Sequence, residues 1–202
     1  MILALDTSTA ACTAALFTPA GELLASADEV IGRGHAERLV PMIEAMLAGR
    51  KPGRILVGCG PGSFTGLRVG IAAAHGMAIG WGAELAGFSS LALLAAAADS
   101  GGPVAVVMAG GHGELFVQEF ACGPLAAAGP LLNLPPEEAA ARVSARSAIG
   151  PAASALIDAR GDGYAIEALP SASNVLRLPE ALRNLPPQPI YARAPDARPK
   201  AA

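Results

Sequence analysis

Charge of either sign is scarce in this sequence: Asp, Glu, Lys and Arg make up 15 % of it, against about 25 % in typical soluble domains. The 17 acids and 14 bases leave a net charge of −3, and the bases form no run. Neutralising phosphates takes a clustered positive face, so nucleic-acid binding by this chain alone is not expected. Aromatics are 4 %. The three cysteines, Cys12, Cys59 and Cys122, lie far apart and in no C-x-x-C pair, which excludes a disulfide framework or a zinc knuckle and points to a reducing cytoplasm. His35, His75 and His112 occur singly, without H-E-x-x-H, so the histidines argue against a metal enzyme and a metallopeptidase in particular. A G-x-S-x-G nucleophile motif is missing too. Every stretch of 18 residues contains a charge or a proline, and the opening residues carry no basic region; neither membrane span nor signal peptide is expected.

What is abundant is small and apolar. Of 202 residues, 52 % are hydrophobic, but 46 are alanine, so the core is real yet built largely from methyl groups that bury little apiece. The length fits one large domain or two small ones.

The spacing predicts an α/β chain. Ile2–Leu5, Cys12–Phe17 and Leu23–Ala25 read as a β-meander turning at Pro19–Gly21. Leu39, Met42, Ile43, Met46 and Leu47 then fall on one helical face, with Pro41 delaying or bending that helix. A strand at Ile55–Val57 and a glycine-rich loop precede a helix from Thr65 to Ile79. This helix carries Gly66, Gly70, Ala74 and Ala78 at a strict interval of four, a stripe that suits close packing on the chain's own sheet or on another molecule. After a helix at Leu91–Ala98, the stretch from Asp99 to Pro103 marks a boundary. Val104–Met108, a turn at Gly110–Gly113, and Leu115–Phe120 then repeat the opening hairpin. Two related halves follow, residues 1–100 and residues 101–202. The second half is expected to hold helices at Pro136–Arg146, Ala152–Ala159 and Pro179–Asn184, a turn at Ala148–Gly150, and an extended end from Pro186 to Pro199.

Two segments are candidates for chemistry. Gly60, Gly62 and Ser63 stand between a strand and a helix, where backbone N–H groups and the helix dipole can cradle an anion; without a following Lys-Ser/Thr it is no Walker loop, a tight strand-to-helix turn is the favoured reading of the loop by itself, and Ser63 can equally be only an N-cap. Asp6, Thr7 and Ser8 end the first strand, and can orient a hydrated metal or a phosphate or form an Asx turn. Cys59 reads as a small buried residue.

Several of these residues carry a resemblance. Ile2-Leu3-Ala4-Leu5-Asp6-Thr7-Ser8, Gly34-His35-Ala36-Glu37-Arg38-Leu39-Val40-Pro41, Gly87-Phe88-Ser89-Ser90-Leu91 and Pro189-Ile190-Tyr191-Ala192-Arg193 are similar to the TsaB (YeaZ) family. So, above all, is the run Gly60-Pro61-Gly62-Ser63-Phe64-Thr65-Gly66-Leu67-Arg68. The resemblance is dense through about residue 98 and rests afterwards on the hairpin and the tail. It implies two RNase H-like halves of the actin, hexokinase and Hsp70 (ASKHA) type, the second reduced.

It also implies a role: the non-catalytic partner, a pseudoenzyme, in threonylcarbamoyladenosine (t6A) synthesis on tRNA. The paralogue TsaD transfers the threonylcarbamoyl group, from an adenylate made by TsaC, to the adenosine 3′ of the anticodon in tRNAs reading A-starting codons. The small ATPase TsaE binds the pair. The catalytic paralogue holds a metal through an H-x-x-x-H motif that this sequence lacks. Where similar members carry Asp-Ala-Arg in the second hairpin, this chain has Ala109-Gly110-Gly111. The expected contact with TsaD is the face of Leu39, Met42, Ile43, Met46 and Leu47 with the stripe Gly66, Gly70, Ala74 and Ala78. The same face serves a homodimer when TsaD is absent, and Gly70→Leu is expected to block association while sparing the fold. No intrinsic cofactor is expected; ATP or ADP would sit at or near the partner interface, and tRNA would be held through the complex. The competing reading is a nucleotide-binding phosphotransferase or hydrolase of the same fold, using Asp6 and the Gly60–Ser63 loop.

Overall fold

A computed structural model describes residues 1–98 and 101–192. Asp99 and Ser100 of the expected boundary, and the tail from Arg193 onward, lie outside the described residues.

The first sheet is built from β1 (Ile2–Asp6), β2 (Ala11–Phe17), β3 (Leu23–Val30), β4 (Arg54–Gly58) and β5 (Glu84–Phe88), in the order β3-β2-β1-β4-β5. The meander β1–β3 is antiparallel, while β4 and β5 run parallel to β1. Alternation along the strands sends side chains to two different cores. Leu3, Leu5, Cys12, Ala14 and Leu16 pack under α1 (His35–Leu47) and α2 (Phe64–Trp81). Ala4, Ala15 and Phe17 face the second half.

The second sheet repeats the plan around a longer central hairpin, with short flanking strands. β6 (Val104–Gly111), β7 (Glu114–Cys122), β8 (Leu125–Ala127), β10 (Ser147–Ile149) and β11 (Tyr164–Ile166) lie in the order β11-β10-β6-β7-β8, with β9 (Leu132–Leu134) beside β7. Strand for strand this is the order of the first sheet, with β6 in the place of β1. One core cluster runs through both sheets: it joins Ala4, Ala15 and Phe17 to Val104, Val106 and Phe120 through α3 (Ser90–Ala95) and a 3₁₀ turn at Ala172–Arg177.

Some local expectations are corrected. α1 runs unbroken through Pro41. An interior proline costs about 3 kcal/mol, but burying Leu39, Met42, Ile43 and Leu47 returns about 1.5–3 kcal/mol each. Pro41 also lies on the exposed side, where water can satisfy the carbonyl left unpaired. Ala148 and Ile149 belong to β10, not to a turn, because they pair in parallel with Ala105 and Val106. The helix expected to reach Arg146 is α4 (Pro136–Arg142) and stops early. Beyond it, Glu119 Oε1 accepts the N–H groups of Ser144 at 2.9 Å and Ala145 at 2.7 Å, which another helical turn would need. α5 (Ala153–Arg160) and α6 (Glu180–Arg183) match their expected helices within two residues, whereas α3 (Ser90–Ala95) ends three residues before the expected Ala98.

Candidate functional site

The ends of the parallel strands β1, β4 and β5 are where an open α/β sheet ordinarily receives a ligand. Asp6 stands at the end of β1 and is fully buried. Its Oδ1 accepts from Ser8 N at 2.7 Å and from Ser8 Oγ at 2.6 Å; its Oδ2 accepts from Ser90 Oγ at 2.5 Å. Ser90 Oγ in turn accepts the Gly60 N–H at 3.1 Å. Burial pushes the Asp6 carboxyl above the ordinary carboxylate range, and the hydrogen bonds from Ser8 and Ser90 offset that only in part.

The glycine loop closes over this carboxylate using the chain's own groups. Ser63 N donates to Ser8 O at 2.7 Å. A Cβ on Gly62, whose φ is +157°, would lie 2.3 Å from Ser8 O. Ser63 Oγ caps α2 by accepting Gly66 N at 3.2 Å, and Thr7 Oγ1 donates to Gly66 O at 2.7 Å. The fold brings Asp6, Thr7, Ser8, Gly60, Gly62 and Ser63 together, joined to one another by the chain's own hydrogen bonds. The Ser63 N–H, one of the loop donors an anion would call on, is already taken by the Ser8 carbonyl. Cys59, also buried, has its thiol pushed up to about 11, chiefly by burial.

The expected partner-binding residues need correction. Leu39, Met42, Ile43 and Leu47 are at most 5 % exposed and pack into the core beneath the first sheet, as do Ala74 and Ala78. Met46 is half-buried against the same cluster. A Cβ on Gly66 would meet Thr7 O at 2.0 Å, and one on Gly70 would meet Thr7 Oγ1 at 2.4 Å. The apolar face and the small-residue stripe thus serve the chain's own sheet, and Gly70→Leu would break the fold instead of sparing it.

The outward faces of the same two helices are different. On α2, Ala72, Gly76, Ile79 and Gly80 are exposed, Ile79 at 84 %. A Cβ on Gly76 or Gly80 would meet nothing within 4 Å. Val40 of α1 is half exposed. Glycine inside a helix costs about 1 kcal/mol relative to alanine, and nothing within the described residues requires it at these two positions.

Three features of this region escape sequence reasoning. Ser90 completes the Asp6 network from 84 positions away. Gly58 is needed because a Cβ there would stand 1.9 Å from Asp6 Oδ2. The segment after α6 forms a strap: Leu185 pairs with Gly87 of β5, Ile190 N donates to Cys59 O at 2.7 Å, and Pro187 O lies 3.3 Å from His75 Nε2. Gly87 makes room for it, since a Cβ there would meet Cys59 Sγ at 2.4 Å and Pro186 O at 2.8 Å. The glycines were the available signal, each placed where two segments of chain nearly touch. Among the described residues no group of His, Cys, Asp and Glu side chains is arranged to hold a metal ion, and no helix is long and apolar enough to cross a membrane.

Comparison with known proteins bears on this geometry. A family model described as "TsaD: tRNA N6-adenosine threonylcarbamoyltransferase" matches residues 27–160. The tRNA threonylcarbamoyladenosine biosynthesis protein TsaB of Haemophilus influenzae is 42 % identical over 102 residues, 48 % of this chain and 42 % of that relative, so the match spans less than half the relative's length. The solved structure of YeaZ from Pseudomonas aeruginosa superposes with a TM-score of 0.76 at 30 % identity, covering 94 % of this chain and 99 % of that one. At 13 % identity and a TM-score of 0.50, the ethanolamine utilization protein EutJ of Carboxydothermus hydrogenoformans covers 87 % of each chain and shares the fold alone.

Proposed function

Because the chain belongs to the TsaB (YeaZ) family and has its two-sheet ASKHA-type fold, we propose that it is the non-catalytic subunit which pairs with TsaD for threonylcarbamoyl transfer to tRNA. The observation that carries this reading is the outward face of α2. Ile79 is 84 % exposed, beside Gly76 and Gly80 whose α-carbons stand bare. Small residues let a second helix approach closely, and an exposed apolar side chain beside them supplies contact area. The docking surface is therefore this face together with the exposed Val40 of α1, and in the absence of TsaD a second copy of the chain would use it.

The closed junction at Asp6 supports a scaffold in place of a phosphotransferase. A carboxylate that positions a phosphate or water has to meet it, and Asp6 is fully buried and bonded by Ser8 and Ser90. ATP or ADP, where the assembly uses it, belongs at or near the partner interface. TsaE engages the assembled pair, TsaC supplies the adenylate, and tRNA is held through the complex; with a net charge of −3 this chain adds little to that grip.

The test is reconstitution. Transfer to tRNA by TsaD is measured with this chain, without it, and with Ile79→Arg or Gly76→Leu. The expected result is transfer that requires the chain and is lost in both variants, while each keeps the circular dichroism of the parent. ATP turnover by the chain alone, or transfer indifferent to its presence, overturns the reading.

A further inference from the structure

At the start of α2 an arginine and two aromatic side chains stand together in solvent. The Arg68 guanidinium carbon lies 3.5 Å from the centroid of the Phe64 ring. The Tyr191 ring lies 5.9 Å from that of Phe64, and Arg68 Nη2 is 3.5 Å from the Tyr191 hydroxyl. Phe64 is nevertheless 55 % exposed and Tyr191 54 %. The cluster joins segments 123 positions apart, and the strap holds Tyr191 there through the Ile190–Cys59 bond next to it.

Its chemistry selects a ligand. A guanidinium lying over a ring keeps its in-plane N–H donors free, and their fork matches a carboxylate. Among the described residues no carboxylate meets Arg68; its contacts are Phe64 and Tyr191. The site is also continuous with the outward face of α2, because Arg68 lies one helical turn before Ala72 and two before Gly76. Arginine and tyrosine are among the residue types that dominate binding energy at interfaces, and charged anchors gather at the rim of an apolar patch.

We propose that Phe64, Arg68 and Tyr191 form the polar anchor of the docking face and receive an Asp or Glu side chain of the partner subunit. This rests on the docking reading above and adds that the C-terminal strap, through Tyr191, is part of the interface. Arg68 supplies the charge, Phe64 fixes the plane of the guanidinium, and the Tyr191 hydroxyl supplies a further donor.

The experiment compares binding of the full chain to the purified TsaD-family subunit at low and high salt for wild type, Arg68→Gln, Tyr191→Ala and Ile79→Arg. Arg68→Gln is expected to weaken low-salt binding about tenfold or more and to flatten its salt dependence. Tyr191→Ala should act in the same direction. The thermal midpoint of the free chain should stay unchanged in both variants, because the cluster is outside the core. If Ile79→Arg abolishes binding while Arg68→Gln binds like wild type, the anchor is overturned and the docking face stands. If neither variant alters binding, the docking face fails as well. If Arg68→Gln leaves subunit affinity intact but weakens the hold of the complex on tRNA, the cluster is a nucleic-acid contact and the proposal is wrong.

Discussion

Gly58 and Asp6 stand side by side on paired strands, and the carboxylate occupies the space a Gly58 side chain would need: a Cβ there would lie 1.9 Å from Asp6 Oδ2 and 2.6 Å from its Cγ. The buried carboxylate is held on its other sides by Ser8 and Ser90, so it has nowhere to retreat. Gly58→Ala is therefore expected to destabilise the protein by about 3 kcal/mol or more, the upper range for overpacking. A urea midpoint within error of the parent would show that Asp6 can rearrange.

The same network makes stability depend on pH. Burial raises the native pKa of Asp6 above its unfolded value, so between those two values the native state holds more protons than the unfolded chain. Its stability then falls as pH rises through that window, by about 1.4 kcal/mol for each pH unit crossed. Asp6→Asn keeps an acceptor for Ser8 and removes the titration. The stability of this variant relative to wild type is expected to improve steadily as pH rises from the ordinary Asp value, in urea denaturation repeated across pH. A constant difference would mean that Asp6 titrates alike in both states. Asp6→Ala would instead leave the buried donors of Ser8 and Ser90 unmet, at about 1–3 kcal/mol each, so its loss of function would report on folding.

Two helical glycines, six residues apart, should respond in opposite directions to alanine. At Gly70 the new methyl would meet Thr7 Oγ1 at 2.4 Å, displacing the hydroxyl that bonds Gly66 O. At Gly76 it would meet open space. Gly70→Ala is expected to lower the thermal midpoint and Gly76→Ala to raise the stability of the free chain by about 0.5–1 kcal/mol, the propensity difference. Equal effects would overturn the assignment of inner and outer faces.

Much of this arrangement was legible in the residues. The meander, both long helices, the glycine loop and the repeat of the hairpin follow from periodicity and turn chemistry alone. The direction a helical face points did not follow: Leu39, Met42, Ile43 and Leu47 show that a face is apolar, not whether its partner is the chain's own sheet. Nor did the end of α4, since the carboxylate that draws Ser144 and Ala145 out of helix belongs to Glu119 on another strand. Asp6, Thr7 and Ser8 were found, but their partners Gly58 and Ser90 are brought to them only by strand pairing. In each case the missing information is a long-range contact, which a local pattern does not contain.

The buried thiols give a test of packing that is independent of function. Cys12 and Cys59 are both fully buried, and each has its thiol pushed up to about 11, chiefly by burial. Reaction requires the thiolate and access to it, so both should resist alkylation by iodoacetamide at neutral pH and react on unfolding in urea. Mass spectrometry of the native protein that finds either one modified at the rate of a free thiol would contradict the closed junction around Cys59 or the packing of β2.

Thr13 couples the two halves through one hydroxyl. It donates to the Asp28 carboxylate and accepts the N–H of Ala172 at 2.8 Å, while Ser171 Oγ donates to Asp28 at 2.8 Å. Thr13 and Ala172 are fully buried, and Ala172 and Val175 belong to the cluster that also contains Phe17 and Val104. Thr13→Val keeps the shape but leaves the Ala172 N–H without its acceptor, at about 1–3 kcal/mol. Because the core runs through both sheets, that loss should not be confined to the second half. Unfolding followed by Trp81 fluorescence, which reports on the first half, and by circular dichroism, which reports on both, is expected to stay one coincident transition shifted as a whole. Two separated transitions in the variant would mean that the halves fold independently and that the shared cluster adds little to either.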